Sequence, residues 1–159
     1  MIATIRIQPE DFDLADEAEA LTRGRADVGA MASFVGLCRD EGGRLAGLEL
    51  EHYAGMAEDE IGRVVGSAAE RWPLLGATVI HRHGLIRPGG RIVLVLATSA
   101  HRAAALQAAE FVMDFLKTRA PFWKREHLSD GTLGPWVDAA GHDDEAAARW
   151  GDDAAIRPA

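Results

Sequence analysis

The sequence predicts a single α+β domain, built on a largely antiparallel sheet with flanking helices. Three observations predict it. Short segments with a two-residue apolar alternation recur along the chain, three longer stretches repeat at three- and four-residue steps, and Gly- and Pro-bearing turns separate neighbouring strands. The element order β-α-β-β-α-β-β-α-β, with strands often following strands directly, suits hairpins better than the regular alternation of a parallel sheet. At 159 residues the chain has room for one domain, taken as 1–150, with a loose acidic tail at 151–159.

Ile2, Ile5 and Ile7 alternate in a first strand over residues 1–7, ended by Pro9. Asp13 to Leu21 places Leu14, Ala18 and Leu21 at helical spacing, with acidic residues in its first turns. Val28 to Cys38 and Leu45 to Tyr53 read as two strands, and the turn Asp40-Glu41-Gly42-Gly43 between them suggests a hairpin. Met56 to Trp72 is an amphipathic helix, with Ile61, Val64, Val65 and Ala68 on one face and Pro73 as its stop. Ala77 to Ile86 and Arg91 to Thr98 are strands joined by Arg87-Pro88-Gly89-Gly90. His101 to Lys117 is the longest helix, with Thr98 or Ser99 able to cap its start. After Pro121 the chain turns extended through Phe122 to Glu126, passes a glycine-bearing loop and reaches Trp136-Val137; a helical turn or two is expected in the last twenty residues.

Composition excludes several classes. The longest apolar run, Ile92 to Ala97, is far too short for a membrane span, and no signal peptide is visible at the amino terminus. Cys38 is the single cysteine, so an internal disulfide is impossible and a cytoplasmic setting is expected. The net charge of −8 argues against nucleic acid as a partner. Fifteen of the 17 basic residues are Arg, and the two lysines, Lys117 and Lys124, stand seven residues apart. An ammonium can lose its proton near neutrality and a guanidinium cannot, so two retained amines suggest amine chemistry.

The densest chemical signal is Lys117-Thr118-Arg119-Ala120-Pro121-Phe122-Trp123-Lys124-Arg125-Glu126, four cations within nine residues of an acidic chain. Neighbouring cations disfavour one another's protonation, which would favour a partly neutral amine. The plainer alternative is a helix end with cations complementing the dipole, followed by a surface strand. Thr98-Ser99-Ala100-His101-Arg102 lies where a strand yields to a helix, a natural cradle for a phosphate or else an ordinary capped helix. Arg39 ends an apolar strand, and Cys38 beside it reads as a buried small hydrophobe. His81 and His83 stand two apart on one strand without a third ligand at diagnostic spacing, so no metal centre is expected. No nucleotide-binding glycine pattern is present.

Four stretches, Leu50-Glu51-His52-Tyr53-Ala54-Gly55-Met56, Val79-Ile80-His81-Arg82, Thr98-Ser99-Ala100-His101-Arg102 and Met113-Asp114-Phe115-Leu116 running on into Lys117 to Glu126, resemble the large, catalytic subunit of molybdopterin synthase. The resemblance runs in order from about Val28 to Trp150. It implies an α/β-hammerhead-like fold and a sulfurtransferase that converts cyclic pyranopterin monophosphate into molybdopterin by installing a dithiolene. Sulfur would come from the thiocarboxylate on the C-terminal Gly-Gly tail of a small ubiquitin-like subunit, in a heterotetramer built on a homodimer of the large subunit. By the same resemblance Lys117 is the main catalytic residue and Lys124 assists it, with Arg125 and Glu126 lining the substrate pocket. Arg39, His101 and Arg102 match positions that bind the anionic pterin, and no cofactor is implied. A non-catalytic adaptor that binds a ubiquitin-like tail, or a phosphate ester, is the competing reading; it has no use for two amines.

Overall fold

Two four-stranded sheets, rather than one, organise the chain. The computed structural model describes residues 1–138 and 144–151. Its elements are β1 (Ile2–Gln8), α1 (Leu14–Thr22), β2 (Ala30–Leu37), β3 (Leu45–His52), α2 (Met56–Arg71), β4 (Leu74–Arg82), β5 (Gly84–Ile86), β6 (Arg91–Ser99), α3 (Arg102–Arg119), β7 (Phe122–Leu128), β8 (Val137–Asp138) and α4 (Asp144–Ala148). The first sheet has the order β1-β4-β6-β2 and the second β5-β3-β7-β8. Among the described residues only β1 and β4 pair in parallel, and every other strand pairing is antiparallel. The α+β class holds, with its antiparallel majority divided between two sheets.

The predicted β2–β3 hairpin does not form. The turn at 40–43 is there, with Leu45 N–H donating to the Asp40 carbonyl at 3.0 Å, but β2 pairs with β6 and β3 pairs with β5 and β7. The chain leaving β2 is drawn elsewhere: Cys38 N–H donates to Gly90 and Gly89 N–H donates to Cys38, at 2.9 and 2.7 Å. The strand predicted over Ala77 to Ile86 likewise breaks at His83, between β4 in one sheet and β5 in the other. Gly84 sits at φ 86° there, a conformation that costs a glycine little and lets the chain change sheets.

The predicted turn at 87–90 does form. Gly90 N–H donates to the Arg87 carbonyl at 2.9 Å, with Pro88 second and Gly89 at φ 83° third, the type II pattern. The helix expected from Asp13 forms as α1, and Asp13 itself is its cap, its side chain accepting from Ala15 and Asp16 N–H groups at 2.8 and 3.1 Å. At α3 the prediction fails, because Thr98 and Ser99 still belong to β6 and use their hydroxyls on the carbonyls of Gly76 and Pro73. His101 is the N-cap residue and makes no side-chain cap bond, while Ser99 Oγ accepts only from His101 N–H, at 3.4 Å.

The core lies between the first sheet and the pair α2 and α3. Ile61, Val64 and Val65 of α2 meet Ala105, Ala108, Phe111, Val112 and Phe115 of α3 over Val79, Val95 and Ala97. Alanines on α3 let that helix approach the sheet closely. On the sheet's other face Phe12 and Leu21 cover Ile80, Leu94 and Leu96. Burial on both faces accounts for the continuous apolar run in β6, since a central strand has no solvent side. Each such fully buried aliphatic or aromatic side chain contributes about 1.5–3 kcal/mol. A third cluster, Cys38, Leu45, Leu50 and Ile86, packs the second sheet.

The helical turn expected near the carboxyl end is α4. Trp150 after it packs edge-on against Trp72 and Phe111, both at 5.6 Å, and donates its indole N–H to Asp114 at 2.7 Å. The tail expected over 151–159 lies, beyond Gly151, outside the described residues. Among the described residues no helix is long and apolar enough to cross a membrane.

Candidate functional site

The end of β2, the end of α3 and the middle of β7 converge on one cavity of about 890 Å³. Its body is apolar, with Phe34, Leu48, Leu50, Ile92, Met113 and Phe122 among its walls; Arg39, Lys117 and Lys124 bring three cations, and Glu41 and Glu126 two carboxylates. Each cation is placed by a different local cause. Arg39 follows a register shift at Gly36/Leu37 and the backbone clamp on Cys38. Lys117 stands in the last turn of α3, where a cation complements the dipole. Lys124 lies opposite Leu50 of β3 and Val137 of β8, and the two-residue period of β7 puts Phe122, Lys124 and Glu126 on the cavity side.

Arg125, one residue on, is engaged elsewhere. Its guanidinium donates to Glu49 at 3.0 and 2.7 Å and lies 4.5 Å from the Trp136 ring centre, and His127 meets the same carboxylate oxygen at 2.7 Å. The His127 and Arg125 bonds hold the Glu49 carboxyl below its ordinary range. His101 and Arg102 are exposed at the opposite end of α3. Sixteen residues separate His101 from Lys117, about 24 Å of helix. Of the residues singled out in the sequence, Arg39, Lys117, Lys124 and Glu126 are thus brought together, and Arg125, His101 and Arg102 lie outside that cavity lining.

Three cavity residues escaped the sequence reading. His81, considered there as half of a metal pair, stacks on Phe122 with ring centres 3.8 Å apart, and its Nδ1 is 2.9 Å from the Arg82 carbonyl. Burial, with the charges of His52 and His83 nearby, pushes its pKa down to about 4, so the ring is neutral at pH 7. Glu41 is held below its usual range by the Arg44 guanidinium first, and then by Arg39 and Lys124. Phe34, from the edge strand β2, is 40% exposed and forms part of the wall. Only an exposed aromatic on an otherwise β-prone strand could have signalled it. Cys38 is buried, as expected, and burial pushes its thiol up, away from thiolate character. Among the described residues no cluster of His, Cys, Asp and Glu could hold a metal ion.

Fold and cavity together define a class: a small α+β protein with a largely apolar cavity bordered by two amines and an arginine. Residues 7–119 match the MoaE protein family. The chain is 67% identical to the molybdopterin synthase catalytic subunit of Mesorhizobium japonicum over 147 residues, 92% of each chain. The solved molybdopterin biosynthesis MoaE protein of Burkholderia ambifaria superposes with a TM-score of 0.83 at 47% identity, covering 94% of this chain and 98% of that one. Molybdopterin synthase from Staphylococcus aureus gives 0.75 at 28% identity, over 86% and 96%. The chain belongs to the MoaE family. It is an enzyme, with the function of a molybdopterin synthase catalytic subunit in molybdenum cofactor biosynthesis.

Proposed function

We propose that this subunit moves sulfur from the thiocarboxylated Gly-Gly terminus of a small ubiquitin-like subunit onto cyclic pyranopterin monophosphate, forming the dithiolene. The observation that carries the reading is the convergence of Arg39, Lys117 and Lys124, from three separate elements, on one largely apolar cavity. Both reactants are anions, and a cationic recess on a chain of net charge −8 concentrates them locally. In each transfer a carbon–sulfur bond forms to the pterin side chain, and water then cleaves the acyl–sulfur bond, leaving the tail a carboxylate. Oxygen leaves the pterin side chain as it takes up sulfur, so protons must be delivered and removed. Lys117 is the residue that does this, at the end of a helix and exposed toward the cavity. Lys124 and Arg39 neutralise charge beside it. Glu126 borders the same recess, and Arg125 acts from behind it through Glu49 and Trp136.

His101 and Arg102 enter through a second copy. One pterin cannot touch both ends of a helix about 24 Å long, so a two-fold dimer that sets the α3 start of one protomer beside the α3 end of its mate completes the site. The first turn of α3 has no side-chain cap, which leaves its N–H groups to a phosphate. Two small subunits on this dimer make the heterotetramer, and residues 1–150 form the working unit of each large subunit. The test is turnover to dithiolene product with a thiocarboxylated small subunit and the cyclic pterin. Lys117→Ala and His101→Ala are each expected to abolish turnover, and their mixture to recover part of it by subunit exchange. Full turnover by Lys117→Ala, or by a monomer, would refute the assignment.

A further inference from the structure

Glu41 and Glu126 line the same cavity as Arg39 and Lys124, and if they turned inward they would neutralise it. Both are held from behind by Arg44, which is not part of the lining. Its two terminal nitrogens each donate to a Glu126 oxygen at 3.1 Å, a bidentate pair, and Nη2 also binds Glu41. The backbone of Arg44 is itself fixed, because its carbonyl accepts from Ser129 N–H at 2.9 Å and Ser129 Oγ at 3.1 Å, at the far end of β7. Arg44 therefore spans the cavity's two flanks, the turn after β2 and the strand β7. With its side chain 49% exposed, it adds little to stability as an ion pair. Its effect is on where the two carboxylates point.

We propose that Arg44 is a positioning residue for the sulfur-transfer site: it withholds Glu41 and Glu126 from Lys124 and Arg39, and so keeps the cavity cationic for its anionic substrate. The inference rests on the sulfur-transfer reading for its substrate, but not for its geometry. Arginine suits the task because a planar fork can grip one carboxylate with two bonds and still reach a second, which a lysine ammonium does less well. Glu41 lies within electrostatic reach of Arg39 and Lys124, yet Arg44 is its dominant partner, so losing Arg44 would leave Glu41 to close on those two cations.

The experiment has two arms. In the turnover arm, Arg44→Ala is expected to raise KM for the cyclic pterin about fivefold with a smaller change in kcat and an unchanged melting temperature. Adding Glu41→Gln to that variant should recover at least half of the loss, and Arg44→Lys should fall between. A KM within about twofold of wild type, or no recovery with Glu41→Gln, overturns the proposal. The second arm needs no substrate. With only two lysines in the chain, reductive methylation by ¹³C-formaldehyde yields two lysine signals, assigned with Lys117→Arg. Arg44→Ala should slow methylation of Lys124 about threefold relative to Lys117, because a released carboxylate stabilises the ammonium. An unchanged ratio overturns the proposal as well. Should wild type itself fail to turn over, the sulfur-transfer reading falls, and the methylation ratio still decides whether Arg44 holds the carboxylates away.

Discussion

Lys124 and Arg125 are neighbours on β7 and face opposite ways. On one side of the strand Phe122, Lys124 and Glu126 border a cavity; on the other Trp123 meets Tyr53 edge-on at 4.6 Å, and Arg125 and His127 close on Glu49. The difference teaches how one short basic segment serves two purposes. The two-residue period of a strand sorts its side chains. One set is placed where a ligand can reach it, while the charges of the other are consumed by partners that lock β7 onto β3. Proximity in sequence to a cavity lysine is therefore a poor guide to a residue's placement here, and substitution should separate the two faces.

The largest effect is expected at the end of α3 that feeds the cavity. Lys117→Arg conserves charge yet should cut turnover by well over tenfold, more than about 1.4 kcal/mol of barrier, because guanidinium exchanges no proton near neutrality. Single-turnover kinetics with the thiocarboxylated subunit measure it. A rate within about twofold of wild type would mean that positive charge alone suffices at that position. Across β7 the contrast should be graded. Lys124→Arg keeps the electrostatic contribution and should cost less than Lys117→Arg. Arg125→Ala should leave kcat/KM within about fivefold of wild type while loosening the strand. A larger catalytic loss at Arg125 than at Lys124 would mean that its guanidinium leaves Glu49 and enters the cavity during the reaction.

The elements of this fold were legible because each is a local pattern: the 3.6-residue stripe of α2, the helical spacing of Leu14, Ala18 and Leu21 in α1 and the Pro-Gly turn at 87–90 are written in nearby residues. The pairing of strands was not. Nothing in β2 or β3 reveals that Cys38 hydrogen-bonds to the 89–90 turn, so an ordinary hairpin was the economical reading, and the change of sheet at Gly84 hid inside an apolar stretch that looked continuous. The site divides the same way. Scarcity marked the two lysines among fifteen arginines, whereas Arg44 is one of those fifteen with no motif to single it out, and His81 read as half of a metal pair. Their roles depend on contacts with residues 82 and 41 positions away, Glu126 and Phe122, which no spacing rule connects.

His81 offers a thermodynamic test of the cavity side. The unfolded chain takes up a proton at this residue below about 6.5, but the folded protein resists until about 4. The unfolded state thus binds more protons between those values, and native stability must fall as pH drops through that window. A depression of this size is worth up to about 3 kcal/mol. His81→Phe keeps a ring against Phe122 and removes the titration. Urea unfolding from pH 7 to pH 4 should show a shallower acid loss in the variant than in wild type. Parallel slopes would place the buried proton-binding difference elsewhere.

The smallest effect belongs to the opposite face of β7. Glu49 receives Arg125 and His127 on a single oxygen and is about one-fifth exposed, so solvent weakens but does not erase the attraction. Its carboxyl is held below the ordinary 4.5, by His127 first and Arg125 second. A depressed carboxyl contributes stability above its unfolded value and loses that contribution as pH falls through the folded one. Glu49→Gln preserves shape and removes charge. It should destabilise the protein by about 1 kcal/mol at pH 7, and the penalty should shrink on acidification to pH 3, as the solution moves toward protonation of the wild-type carboxylate. Urea midpoints of the two proteins at both pH values decide the matter. A penalty that stays the same at pH 3 would show that Glu49 holds β7 by the geometry of its hydrogen bonds rather than by charge, and the contrast between the strand's two faces would then be one of exposure to ligand alone.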